Sequence, residues 1–147
     1  MALLEIRDLK VYYSTKRGEA RAVDKVTFNV QAGGTLGLVG ESGCGKTTIA
    51  KAVMRLLPKN GHIPGGSIMF NGRDLTKLNM AEIRKYRWEE IAMISQSAMN
   101  ALNPVTRVGY QLIEAMQAHR NVSRQEAQVR LADEFALVGI NLQRVAD

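Results

Sequence analysis

The sequence predicts an α/β fold, and three features predict it. Two N-terminal stretches alternate apolar with polar residues, as strands with one wet face do. A short apolar run without alternation leads straight into a glycine-rich loop. The residues after that loop place apolar side chains at helical spacing.

Residues 3 to 13 are rich in β-formers and end in Val11, Tyr12 and Tyr13. Residues 14 to 20 read as a polar turn. From Ala22 to Val30, the apolar Val23, Val26, Phe28 and Val30 are set among Asp24, Lys25, Thr27 and Asn29, which predicts antiparallel pairing with the first stretch. After the Ala32-Gly33-Gly34 turn, Thr35 to Val39 predicts a central strand covered on both faces. Ile49, Ala52, Val53 and Leu56 share one helical face, with Pro58 expected to close the helix. Residues 59 to 66, with three glycines and a proline, read as a loop, and Ser67 to Phe70 as a strand ending at the Asn71-Gly72 turn. Asn79 with Glu82 forms a capping box for a helix to about Arg87. Ile91 to Ile94 predicts a second buried strand ending at Ser95-Gln96.

No strand is expected beyond Gln96. Val105, Val108, Leu112 and Met116 fall on one helical face. Ser123 with Glu126 is a further capping box, opening a stripe of Ala127, Leu131, Phe135 and Val138 that Gly139 should stop. These stripes read as packing surface.

The chain has 147 residues, enough for one domain with a sizeable core. No apolar run approaches the roughly 18 residues of a membrane-spanning helix. Charges interrupt the N-terminus where a signal peptide would need its apolar stretch, so export is not expected. One cysteine, Cys44, cannot build an internal disulfide framework, which fits a reducing compartment. His62 and His119 are the only histidines, too few with Cys44 for a structural zinc site. The net charge of +6 is spread among interleaved signs, and the densest patch, Arg84, Lys85 and Arg87, lies beside Glu89 and Glu90. A solvated basic surface is therefore expected, with no nucleic-acid partner.

The chemistry concentrates in Gly40-Glu41-Ser42-Gly43-Cys44-Gly45-Lys46-Thr47-Thr48, which matches the phosphate-loop pattern G-x-x-x-x-G-K-[ST]. A triphosphate needs many donors in a small concave space, and glycines let backbone N–H groups converge without side-chain crowding. The helix that follows adds unpaired N–H groups and its positive dipole end. Lys46 supplies a full charge for the β- and γ-phosphates, the Thr47 hydroxyl suits Mg²⁺, and Thr48 can donate near the α-phosphate. A chance match in a chain this long has a probability of about 0.5% at ordinary residue frequencies. With a strand expected before it and a helix after it, the loop is read as an ATP site. Cys44 lies inside the loop, just before the expected helix, so alkylation there is expected to block nucleotide binding and bound nucleotide to protect.

Three blocks carry a resemblance to a family. Leu9-Lys10-Val11-Tyr12-Tyr13 followed by Ala22 to Phe28, the block Leu36 to Thr48, and the block Ile91 to Pro104 together resemble the first half of an ABC-transporter ATP-binding subunit, in the group that imports dipeptides, oligopeptides and nickel. The resemblance covers essentially the whole chain. It implies a P-loop NTPase (RecA-like) core with an antiparallel β subdomain, a partial nucleotide-binding core over residues 1–95, and a Q-loop with the start of an incomplete helical subdomain over 96–147. It also implies that Tyr13, or failing it Tyr12, stacks on adenine, and that Gln96 reaches Mg²⁺ and the attacking water. The implied partners are integral-membrane permease subunits, a second ATP-binding subunit and, indirectly, an extracytoplasmic solute-binding protein, at the cytoplasmic face of the membrane; the isolated chain would be soluble. Gly34, Cys44 and Ser97-Ala98 depart from the family's usual residues, and none of them removes a phosphate ligand.

The family's signature sequence, Walker B acidic residues and switch histidine are not found in the sequence. Hydrolysis needs a positioned water and complete Mg²⁺ coordination. The chain is therefore expected to be a truncated piece that binds ATP without turning it over, with Leu36 to Val39 left as an uncovered, aggregation-prone edge. The competing readings are another P-loop NTPase or a non-enzymatic interaction fragment. A GTPase would need an N-K-x-D motif, which is absent, and a repair ATPase would usually place long insertions before Gln96.

Overall fold

The structure is a computed structural model that describes residues 2–96, 101–120 and 122–140. The chain divides into two compact units, Met1–Met93 and Ile94–Asp147.

In the first unit, β1 (Ala2–Thr15) and β2 (Gly18–Gln31) form a long antiparallel hairpin. Strand β3 (Gly61–Phe70) pairs antiparallel with the other edge of β1, and the short β4 (Arg73–Asp74) closes the order β2-β1-β3-β4. The inward residues Ile6, Leu9, Val11, Val23 and Ile68 make the core with Ile49, Ala52 and Val53 of helix α1 (Lys46–Val53). Ile6, Leu9 and Ile68 are completely buried, and each such side chain contributes about 1.5–3 kcal/mol. Helix α2 (Met80–Tyr86) opens on the predicted capping box: the Asn79 side chain accepts from the Ala81 and Glu82 amides, and Glu82 accepts from the Asn79 amide at 2.9 Å.

Asp74 anchors the corner after β4. Desolvation alone would raise its carboxyl pKa. The hydroxyl and amide of Thr76, an N–H of Ile68 and the charge of Lys77 outweigh that and hold it below the usual range.

Several sequence expectations are corrected. Residues 61–66, read as loop, belong to β3. Their glycines and proline serve irregular pairing. The register with β1 shifts between Arg7 and Lys10, and again between Lys10 and Tyr12. Gly66, at φ +86°, lies so close to the Asp8–Leu9 backbone that a Cβ would collide. Pro64, which cannot donate to a ladder, falls within the second shift.

Helix α1 ends at Val53, well before Pro58. Leu56 N–H donates to the Lys51 carbonyl at 2.8 Å and Arg55 N–H to the Ala52 carbonyl at 3.0 Å, a Schellman closure with Arg55 at φ +52°.

The largest correction concerns Thr35–Val39 and Ile91–Ile94. Neither forms a strand; Ile91 makes one isolated bridge with Arg87. A strand exists through its ladder, and among the described residues neither segment has a partner strand. Leu36 and Leu38 instead line an open apolar groove of about 280 Å³ with Leu4, Phe28, Ile49 and Met93.

In the second unit, α3 (Val108–His119) and α4 (Arg124–Leu137) pack through Ile113, Ala127 and Leu131, with Leu112, Met116 and Phe135 around them. Ser123 and Glu126 form the predicted capping box, whose amide and hydroxyl hold the Glu126 carboxyl below its usual range. Gly139, at φ +72°, follows the C-terminal end of α4. Val105 and Val138, expected on helical stripes, lie outside the helices and are exposed, since α3 starts only at Val108 and Val138 is the cap of α4. Among the described residues no helix is long and apolar enough to cross a membrane, and no cluster of His, Cys, Asp and Glu could hold a metal ion.

Candidate phosphate-binding site

The glycine-rich loop runs from Gly40 into α1. Gly45 is the N-cap of that helix, in the left-handed region at φ +98°. A Cβ there would run into the carbonyl oxygen of Ala22 on β2, so only glycine lets the loop lie against the strand. No side chain caps the helix. The first amides of α1 therefore face outward as unspent donors at the positive end of the dipole, an arrangement that favours an anion.

Lys46 folds its side chain back over the loop. Its Nζ donates to the carbonyls of Gly40 at 2.7 Å and Glu41 at 2.6 Å, and lies 3.3 Å from Cys44 Sγ. The ammonium is thus held over the curve of the loop. Glu41, Ser42, Gly43 and Cys44 are exposed along it, and the loop is tied internally by Cys44 N–H to the Glu41 carbonyl at 3.3 Å. Thr47 is exposed on the first turn of α1. The residues present fit a polyphosphate: outward amides, one cation held over the loop and an exposed hydroxyl, with no carboxylate side chain bonded to Lys46 among the described residues.

The two tyrosines diverge. Tyr13 is half-buried, and its hydroxyl donates to Thr48 Oγ1 at 3.3 Å, so the end of β1 touches the helix that follows the loop. Tyr12 is buried at 9% exposure; its hydroxyl donates to Asp24 at 2.9 Å, the Arg21 guanidinium lies 5.5 Å from its ring centroid, and His62 meets its edge. Desolvation, then the Asp24 carboxylate, push the Tyr12 phenol up. Gln96 lies in the second unit, exposed, in a turn rather than at the end of a strand. Ser97 and Ala98 lie outside the described residues.

Sequence reasoning missed the Ala22 carbonyl behind Gly45 and the Arg21, Asp24 and His62 side chains around Tyr12. They come from β2 and β3 and carry no local motif; the one available signal was the strand alternation of Ala22 to Val30, which puts Asp24 beside the hairpin partner.

The sequence profile of the family described as "ABC transporter" matches residues 23–145, most of the chain. The chain belongs to the ABC transporter family. Among curated relatives, this ABC-family chain is 49% identical over 135 residues to the oligopeptide transport ATP-binding protein OppD of Escherichia coli, covering 90% of the chain and 40% of that protein. It is 39% identical over 139 residues to the dipeptide transport ATP-binding protein DppD of Lactococcus lactis, covering 94% of the chain and 40% of the relative. The chain therefore spans about two fifths of the length of these relatives. Its fold matches the dimeric ABC transporter cassette MJ0796 with a TM-score of 0.80 at 18% identity, covering 98% of this chain and 60% of that one. A second structure of that cassette, bound to ADP and Pi, matches with a TM-score of 0.78 at 16% identity. The fold is thus α/β and that of part of an ABC cassette.

Proposed function

We propose that this chain is the phosphate-loop part of an ATP-binding subunit that drives import of dipeptides or oligopeptides. The observation that carries the reading is the uncapped N-terminus of α1, with Gly45 pressed on β2 and Lys46 folded over the loop. The likeness to OppD and DppD supports the peptide-import assignment.

In this reading the amides from Glu41 to Thr48 surround the phosphates of ATP and Lys46 balances their charge. Thr47 would offer its hydroxyl to Mg²⁺, and the family likeness alone carries the proposal that the neutral amide of Gln96 serves the cation. Mg²⁺ would supply charge neutralisation at the terminal phosphates. Tyr13, whose hydroxyl touches Thr48, is the residue proposed to stack on adenine. The complete subunit would pair with a second ATP-binding subunit and dock on integral-membrane permease subunits at the cytoplasmic face, with a solute-binding protein delivering peptide from the other side. The 147-residue chain binds ATP and does not turn it over.

The test is equilibrium binding of a fluorescent ATP analogue with Mg²⁺, beside a turnover assay on the same sample. Binding should be weakened about a hundredfold by Lys46→Ala, as loss of a charged phosphate contact implies, with no turnover in either protein. Steady-state turnover of about 1 s⁻¹, a typical slow enzymatic rate, abolished by Lys46→Ala, would overturn the claim that the chain is catalytically incomplete. Absence of binding by folded wild-type chain would overturn the ATP site itself.

A further inference from the structure

Helix α1 has two ends, and the one away from the phosphate loop is built in an unusual way. Its C-terminal closure places Arg55 at φ +52°, a left-handed position where glycine is the unstrained choice. Arginine costs conformational energy there, so its side chain must return something. Nη1 of Arg55 donates to the carbonyls of Leu75 at 2.9 Å and Thr76 at 2.5 Å, in the turn after β4. The two carbonyls just past the helix, those of its cap Met54 and of Arg55, are taken by a second arginine. Arg87 Nε donates to the Met54 carbonyl at 2.8 Å, and its Nη2 to the Arg55 carbonyl at 2.8 Å.

Arg87 is itself fixed. It caps α2, its N–H donating to the Ile83 carbonyl at 3.2 Å, and it bridges to Ile91. It is desolvated and stands near the like charges of Arg55 and Arg84, which lower its pKa. A cation in such surroundings is compensated by the negative end of a helix dipole, and its planar fork matches two adjacent carbonyl oxygens.

We infer that Arg55 and Arg87 act as a clamp on the C-terminal end of α1, and that they are positioning residues for the phosphate loop at its other end. The helix has eight residues, too few to hold its own geometry in water. Its orientation therefore rests on the packing of Ile49, Ala52 and Val53 and on what grips its ends. A shift at Met54 and Arg55 is transmitted along two turns of helix to the amides after Gly45. The consequence for ligand rests on the ATP reading above; the clamp itself does not.

The experiment compares the wild-type chain with Arg87→Met, Arg87→Lys and Arg55→Gly. Amide hydrogen exchange without nucleotide is followed in the peptide spanning Lys46 to Leu56 and in peptides of β1, alongside the thermal midpoint and the affinity for the fluorescent ATP analogue with Mg²⁺. Arg87→Met should speed exchange in α1 selectively and weaken ATP binding about tenfold, the loss of roughly one charged hydrogen bond's worth of order. Arg87→Lys, which keeps the charge and loses the fork, should fall between. Arg55→Gly is decisive in sign: it relieves the strained backbone, so a mere helix terminator would leave exchange unchanged or slower, whereas loss of the clamp makes α1 exchange faster. Unchanged exchange and affinity in folded variants would overturn the clamp, and so would exchange that rises equally in α1 and β1. If Arg87→Met does not fold, Arg87→Lys and Arg55→Gly decide the matter by the same readings. Failure of the wild-type chain to bind ATP would sink the nucleotide reading, while the exchange data would still judge the clamp.

Discussion

The strands of the β1–β2–β3 sheet alternate apolar with polar residues, the segments Thr35–Val39 and Ile91–Ile94 are more continuously apolar, and the two kinds meet opposite fates. In the sheet every strand has a neighbour, and Ile6, Leu9 and Ile68 are completely buried. In the segments Val39 and Ile94 are each 97% exposed, and Leu36 and Leu38 border an open groove. The difference teaches that hydrophobicity nominates a strand and a partner creates it. Hairpin strands find theirs a few residues away in sequence; strands of the interior kind wait for neighbours from distant parts of a chain.

The comparison can be broken most directly at Ile68 and Val39. Ile68→Ala should cost about 2–5 kcal/mol, as large-to-small changes in a packed core do, read from urea unfolding. Val39→Ala should stay within about 0.5 kcal/mol, the ordinary surface range. A Val39→Ala cost similar to that of Ile68→Ala would mean that the segment is packed in solution. A smaller effect sharpens the contrast from the other side. Replacing Val39 and Ile94 together by lysine should reduce self-association of the chain, measured by light scattering across a concentration series, because charge disfavours edge pairing. Unaltered scattering would show that these residues do not drive association.

The smallest effect is one of pH, at the corner where the sheet ends. The Asp74 carboxyl has a folded-state pKa below its unfolded value. Its contribution is therefore present above the unfolded pKa, about 3.9, and lost as pH falls through the folded one. The thermal midpoint should fall on acidification below about pH 4, and Asp74→Asn should flatten part of that fall. An identical acid profile in the variant would assign the loss to other carboxylates.

What was legible in the sequence was local. The phosphate loop, the apolar face of α1 and the capping boxes at Asn79–Glu82 and Ser123–Glu126 each span a few residues and carry their own chemistry. What was not legible depended on distant partners. Gly61 to Gly66 read as loop because the bulged register of β1 opposite them is invisible from their composition. Thr35–Val39 read as strand because nothing in five residues says whether a neighbour arrives. Arg55 was hidden for a related reason: its αL backbone is intelligible only once the carbonyls of Leu75 and Thr76, twenty residues on, stand beside it.

The contact between Gly45 and Ala22 has a consequence for heredity. Every missense change in a glycine codon, at either of its first two bases, installs a residue with a Cβ, and each would strike the Ala22 carbonyl. The codon has no conservative neighbour. Any such change needs the loop or β2 to shift, so a single codon ties the position of the one to that of the other.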